Sequence, residues 1–117
     1  MYGLQKDVNL KFLNKRELLQ VCVGLFQVIL NFDEDVSISI EGRFEFVLEG
    51  RSTERAQLPE AASPILRFLG SRISDVRVQD GGTLELAFSN GAVLRLYDSN
   101  LDAESYQISG PAKLIVV

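Results

Sequence analysis

The stretch from Leu18 to Glu41, LLQVCVGLFQVILNFDEDVSISIE, constrains the chain more than any other, because its apolar residues recur at every second position. Side chains alternate between the two faces of a strand, so this period marks strands half buried against a core. Leu19, Val21 and Val23 share one face of a first strand, and Phe26, Val28, Leu30 and Phe32 one face of a second. Val36, Ile38 and Ile40 point inward from a third, with Ser37, Ser39 and Glu41 outward. Between the first two, Gly24-Leu25 is expected as a type II′ turn, since glycine takes a positive φ at little cost. Asp33-Glu34-Asp35 supplies the next reversal. Leu25 and Ile29 on the other face of the second strand imply partial cover on both sides.

The pattern returns further along. A separation of 56 residues relates Leu10 to Leu66, Phe12 to Phe68, Leu13 to Leu69, Arg16 to Arg72, Leu30 to Leu86 and Phe32 to Phe88. This predicts a duplicated unit, about 10–41 and 66–97, within a single domain spanning 1–117. In the second copy Val76 and Val78 belong to the first strand, Asp80-Gly81-Gly82 to a hairpin loop, and Leu84, Leu86 and Phe88 to the buried face of the next strand. Asn90-Gly91 reads as a type I′ turn, after which Ala92, Leu94 and Leu96 face inward and Val93, Arg95 and Tyr97 outward. The count slips by one near Glu17 and is restored because the second hairpin loop is a residue longer.

The remaining segments complete the layout. Leu10-Lys11-Phe12-Leu13 matches a segment expected to be helical, although Val8, Leu10 and Phe12 alternate as a strand would, and both readings stand. Phe44, Phe46 and Leu48 alternate in a fourth strand, Gly50 to Gln57 is polar and loop-like, and Pro59 to Leu69 predicts a short helix ended by Gly70. Ser105 to Ile108 and Leu114 to Val117 can each add a strand. The expected fold class is α+β, mainly antiparallel β: two sequence-related three-stranded meanders joined by a short helix, packed as a six- to eight-stranded sandwich or partly open barrel.

Composition narrows the partners. A chain of 117 residues buries roughly two-thirds of its unfolded surface and needs no staple. Its 12 basic residues are scattered among 16 acidic ones, a net charge of −4, which argues against nucleic acid because phosphate binding needs clustered Lys and Arg. The one cysteine, Cys22, excludes an intrachain disulfide and fits a reducing cytoplasm. The amino terminus, MYGLQKDVNLKFL, has neither the basic start nor the apolar run of a secretory signal, and no apolar run approaches the ~20 residues of a membrane helix. The expectation is a soluble, unprocessed cytoplasmic protein with no membrane contact.

Several stretches together carry a resemblance. They are Leu18 with Val21-Cys22-Val23-Gly24, the Phe32-Asp33 turn, Ile40-Glu41-Gly42, Leu69-Gly70, the segment from Gly82-Thr83-Leu84 to Phe88, and Glu104-Ser105-Tyr106-Gln107-Ile108. Over nearly its whole length the chain resembles a family of small, mostly bacterial proteins of unknown function, which carry a Tyr-Glu-Ser-Tyr-Gln-Ile-like motif near the C-terminus. Here Ala103 stands where that motif has its first aromatic residue. The shared positions are turns and core residues, so the resemblance implies a common fold and no established activity.

The chemistry the chain can offer is limited. Without histidine it lacks the commonest general base, the usual nucleophilic triads and the most frequent metal ligand. Cys22 lies within an apolar strand, beside no cation or helix terminus in the sequence, and is expected to be inert. Asp33-Glu34-Asp35 has neither the glycine nor the spacing of an EF-hand and reads as a turn, not a metal site. Asp80-Gly81-Gly82 is too short to cradle phosphate, so no cofactor is expected. Arg16 and Arg72 read as solvent-exposed residues before a strand. Asp98, Asp102 and Glu104 lie near Tyr97 and Tyr106, and of these Tyr97, Glu104 and Tyr106 are the candidates for a recognition patch, because tyrosine combines apolar area with a polar tip. The leading expectation is a non-catalytic protein-interaction module, immunity- or antitoxin-like, whose partner is another protein or a second copy in a homodimer. A small-ligand-binding β domain is the alternative, and an enzyme using only carboxylates and tyrosines a weaker one. An exposed apolar patch would favour the first, and a concave apolar pocket the second.

Overall fold

The computed structural model describes residues 9–42, 44–48, 51–55, 66–79, 82–97, 106–111 and 113–117. Strands β1 (Leu18–Val23), β2 (Val28–Phe32) and β3 (Ser37–Ile40) follow one another as the alternation requires. They are followed by β4 (Phe44–Leu48), β5 (Arg51–Arg55), β6 (Ile73–Val78), β7 (Leu84–Phe88), β8 (Val93–Leu96), β9 (Tyr106–Gly110) and β10 (Lys113–Val116). All the pairings are antiparallel, in two five-stranded sheets ordered β1-β2-β3-β9-β10 and β5-β4-β8-β7-β6. The hairpins are exchanged: β4 and β5 extend the sheet begun by β6 to β8, while β9 and β10 extend the sheet begun by β1 to β3.

The inward residues of both sheets form one apolar core. Val28, Leu30, Phe32, Ile38, Ile40, Tyr106 and Ile108 come from the first sheet, and Phe44, Ile73, Leu84, Leu86, Phe88, Leu94 and Leu96 from the second. Burying an aliphatic or aromatic side chain of this size contributes about 1.5–3 kcal/mol. The sheets are open at their edges, so neither closes into a barrel.

The sheets meet where the segments leading into β1 and β6 run side by side. Glu17 and Arg72 form an isolated antiparallel bridge. Around it Lys15 N–H donates to the Ile73 carbonyl (2.8 Å) and Gly70 N–H to the Leu18 carbonyl (2.9 Å), while Ile73 N–H donates to Arg16 (2.9 Å) and Leu18 N–H to Ser71 (3.0 Å). Each bond has a counterpart 55 residues along the chain. Both edge strands also carry a register irregularity, between Leu18 and Gln20 in β1 and between Ile73 and Asp75 in β6.

Several expectations are corrected. The described residues are mainly antiparallel β and contain no α-helix; residues 66–68 form a 3-10 turn, and the rest of the expected helix from Pro59 lies outside the described residues. Lys11–Leu13 is also a 3-10 turn, neither strand nor α-helix. Leu13 and Phe68, both fully buried, take the matching positions in these turns, so the spacing there is 55 and not 56. The strand β5 replaces part of the expected loop. Its sequence, RSTER, has no apolar residue, so no alternation announced it.

Turn positions also differ. The irregularity in β1 lets Leu18 point inward and leaves Leu19 57% exposed, reversing the face expected for Leu19. The first hairpin closes with Gly24 N–H donating to the Gln27 carbonyl (2.8 Å), so its tip is Leu25-Phe26 and not Gly24-Leu25. At the β2–β3 turn Glu34 and Asp35 both take positive φ, 58° and 60°. At the β7–β8 turn only Gly91 does, at 87°, with its N–H donating to Phe88 (2.9 Å). The expected type I′ turn at Asn90-Gly91 is thus a three-residue loop closed by a left-handed glycine.

Candidate functional site

Residues paired directly across neighbouring strands share a face, so the registers define what each sheet shows outside. In the first sheet one outward row runs Gln20, Asn31, Ser37, Ser109, Leu114, and the next Cys22, Ile29, Ser39, Gln107, Val116. No charged residue occurs in either row. Leu114 is 64% and Val116 41% exposed. Asn31 joins the face laterally, its amide donating to Gln20 Oε1 (3.0 Å) and to Cys22 Sγ (3.7 Å). At the end of this sheet the β1–β2 hairpin lifts Leu25 and Phe26 into solvent, 68% and 79% exposed. The turn carries both side chains past the end of the core, to which β2 contributes Val28 and Leu30.

The second sheet presents the opposite chemistry. Its outward row places Arg77, Glu85, Arg95 and Glu45 on successive strands. Arg95 Nε donates to Glu85 Oε2 (2.9 Å) and its Nη1 to Glu45 Oε1. Gln79 Nε2 donates to the same Glu85 oxygen (2.8 Å), and the Tyr97 hydroxyl to Glu45 Oε1 (3.2 Å). Hydrogen bonds from Arg95 first to Glu85 and then to Glu45 raise its pKa still further above the ordinary guanidinium value, so it is a fixed cation. A cation locked between two carboxylates holds strands together. It cannot donate a proton to a substrate.

A third cluster lies at the junction of the sheets. Asp33 Oδ1 accepts the Glu17 N–H (3.0 Å) and lies 3.6 Å from Arg16 Nη1, while Oδ2 lies 3.7 Å from Arg72 Nη1. Arg72 also reaches Glu17 Oε1 (3.2 Å) and the Lys15 carbonyl (2.8 Å). Arg16 and Arg72 therefore converge on one carboxylate instead of standing apart in solvent. Nothing in the strand pattern could announce this, since the contact depends on two distant segments crossing. An open groove of about 310 Å³ adjoins the cluster, lined by Lys11, Phe12, Asn14, Arg16, Glu34, Val36 and Pro111. Its lining mixes the charged Lys11, Arg16 and Glu34 with the apolar Phe12, Val36 and Pro111.

The sequence candidates fare differently. Tyr106 is 1% exposed and its hydroxyl donates to the Gly82 carbonyl (2.8 Å), so it is a core residue and not part of a surface patch. Tyr97 is half-buried against Glu45. Glu104, Asp98 and Asp102 lie outside the described residues. Cys22 sits half-buried on the uncharged outer face. Among the described residues no group of three or more His, Cys, Asp or Glu side chains is placed to hold a metal ion, and no helix is long and apolar enough to cross a membrane. Sequence reasoning missed Leu25 and Phe26 because it placed the turn one residue early and assigned Phe26 to the buried face.

Comparison with known proteins adds a family and nothing more. Residues 11–117 match the model of a family described as of unknown function. No curated protein and no solved structure matches.

Proposed function

We propose that this chain, which belongs to the family of unknown function DUF6188, is a non-catalytic protein-interaction module that binds through its first sheet. The observation that carries this reading is the exposure of Leu25 and Phe26 at the tip of the β1–β2 hairpin, beside an outer face with no charged residue. Large apolar side chains held in water by a short hairpin lose little conformational freedom on binding, and aromatic anchors of this kind dominate interface energies. The remaining polar groups of that face, Gln20, Asn31, Ser37 and Ser39, offer hydrogen bonds without the desolvation cost of ions.

An immunity- or antitoxin-like role is the form of this reading that needs no site beyond the surface itself. The single half-buried thiol fits a reducing compartment such as the cytoplasm. The two sheets, with matched bulges and matched bonds at their junction, are read as descendants of one duplicated unit.

The test begins with co-purification from the source cells, identification of the bound protein and reconstitution of the pair from purified components. Leu25→Ser with Phe26→Ser leaves the core untouched and is expected to weaken binding roughly tenfold or more. The reading fails if the reconstituted affinity is unchanged by this double variant, or if the isolated chain turns over a small substrate at a rate the variant does not alter.

A further inference from the structure

The four sheet edges are not alike. The sequence of β5, RSTER, is polar throughout and carries three charges, and β6 carries Asp75 and Arg77. β1 is bulged, and the outward groups of Leu18 are taken by Ser71 and Gly70. Charges, bulges and covering segments are the devices by which edge strands avoid pairing with other chains. β10 has none of them after its opening Lys113: its sequence continues Leu114, Ile115, Val116, its register with β9 is regular, and it is outermost in its sheet.

The hydrogen bonding of β10 shows which groups are open. Tyr106 and Val117 exchange backbone bonds, Val117 N–H to the Tyr106 carbonyl (2.9 Å) and Tyr106 N–H to the Val117 carbonyl (3.4 Å). Bonded pairs alternate along an antiparallel ladder, so Ile115 also bonds toward β9, while Leu114 and Val116 aim their N–H and C=O groups at the free edge. The same two residues carry the exposed outward side chains. Among the described residues no strand pairs with that edge.

We infer that β10 is the pairing edge for a second copy of this chain, joined antiparallel about a twofold axis through Ile115. This rests on the reading of the first sheet as the interacting one, and it names a partner for the edge opposite the hairpin tip. Centred on Ile115, the register sets Leu114 of each copy against Val116 of the other, so every outward donor and acceptor of these residues meets its complement. The side chains match as well, since the symmetric register sets the exposed apolar Leu114 of one copy beside the exposed apolar Val116 of the other. Charge points the same way. Two chains of net charge −4 repel, yet at this edge they bring together outer faces that carry no charged residue, whereas the β5 and β6 edges would bring charged strands together. The result is a continuous ten-stranded sheet with one uncharged outer face.

Sedimentation equilibrium across a concentration series tests this, with two double variants whose folding is checked by circular dichroism. The wild-type chain is expected to dissociate from dimer to monomer on dilution. Leu114→Lys with Val116→Lys sets lysine against lysine in both symmetric contacts and should weaken the dimer roughly tenfold or more. Leu114→Lys with Val116→Glu sets lysine against the glutamate of the other copy and should restore association at low salt, which only the proposed register does. A wild-type chain that stays monomeric up to about 1 mM, where even weak pairs associate, overturns the proposal, as does a dimer insensitive to the double lysine variant. Leu25→Ser with Phe26→Ser should leave the dimer intact. Partner binding that still depends on Leu25 and Phe26 in a strictly monomeric chain would sink the dimer alone and leave the interaction reading standing.

Discussion

The outer face of the first sheet and the outer face of the second are built on the same layout and carry opposite chemistry. Each sheet starts from a 3-10 turn, a bulged edge strand and two hairpin-linked strands, and Leu18, Leu30, Phe32 and Ile38 occupy the places taken by Ile73, Leu86, Phe88 and Leu94. Outside, Asn31 and Ser37 occupy the places of Ala87 and Val93, and Ile29 and Ser39 those of Glu85 and Arg95. The inward positions are interchangeable because one shared core asks only for apolar volume. The outward positions answer to solvent or to a partner, and there the sheets differ. One locks its strands with Glu45, Arg95 and Glu85, and the other leaves its face uncharged.

The largest effect that can break this comparison comes from the matched aromatic pair. Phe32→Ala and Phe88→Ala each remove a nearly fully buried ring, for which the loss is about 3–5 kcal/mol. That is a large share of the ~5–15 kcal/mol that stabilises an ordinary domain. The two losses should not be equal. The Phe88 ring meets Phe68 edge to face, with centroids 4.8 Å apart and planes at 85°, while the place of Phe68 in the first half is taken by Leu13. An aromatic pair adds about 0.5–1.5 kcal/mol beyond its area, so the urea midpoint should fall further for Phe88→Ala. A larger fall for Phe32→Ala would show that the two halves of the core are not packed alike.

A smaller difference is expected at the turns that follow. Asp33 and Ser89 hold the same post: Asp33 Oδ1 accepts the Glu17 N–H at 3.0 Å, and Ser89 Oγ accepts the Arg72 N–H at 3.0 Å. Only Asp33 is charged and faced by two arginines. Hydrogen bonds to charged groups contribute about 1.5–3 kcal/mol and neutral ones about 0.5–1.5, so Asp33→Ala should cost roughly twice as much as Ser89→Ala in thermal or urea denaturation. Added salt should narrow the gap, because the arginine contacts are partly exposed and are screened. Equal costs at low salt would mean that the convergence of Arg16 and Arg72 on Asp33 contributes nothing to stability.

These comparisons also show how much was readable from the chain. Strands with a regular alternation, such as Val36 to Ile40 and Leu84 to Phe88, were legible with the right face, because one buried side imposes the period. The face of Leu19 was not, since a bulge shifts the parity without changing composition. The strand Arg51–Arg55 left no signal, having no apolar residue, and the exchange of hairpins between sheets is a choice of partner that local patterning does not encode. The uncharged outer face was present in the sequence as Gln20, Asn31, Ser37 and Ser39, but its continuity with Gln107, Leu114 and Val116 required knowing that β9 pairs with β3. Tyr106 was misread for the same reason: tyrosine beside acidic residues suggests a surface, and only the register reveals that it lines up with buried Ile40.

The smallest effect tests the junction itself. Lys15 and Gly70 hold matching positions, each donating its N–H across to the other half, and both take positive φ, 69° and 83°. A residue with a Cβ loses about 1–2 kcal/mol in that conformation, whereas glycine accepts it and instead costs about 0.5–1 kcal/mol in chain entropy. A Cβ built on Gly70 meets no atom within 4 Å, so Gly70→Ala is penalised through the backbone alone and should lose up to about 1 kcal/mol. Lys15→Gly should move the other way and gain a few tenths of a kcal/mol, or roughly 1–3 °C in Tm. The bond from Arg72 Nη1 ends on the Lys15 carbonyl and survives the substitution. If Lys15→Gly lowers the melting temperature instead, the lysine side chain contributes more than its backbone strain removes, and the two halves of the junction are not energetic equivalents.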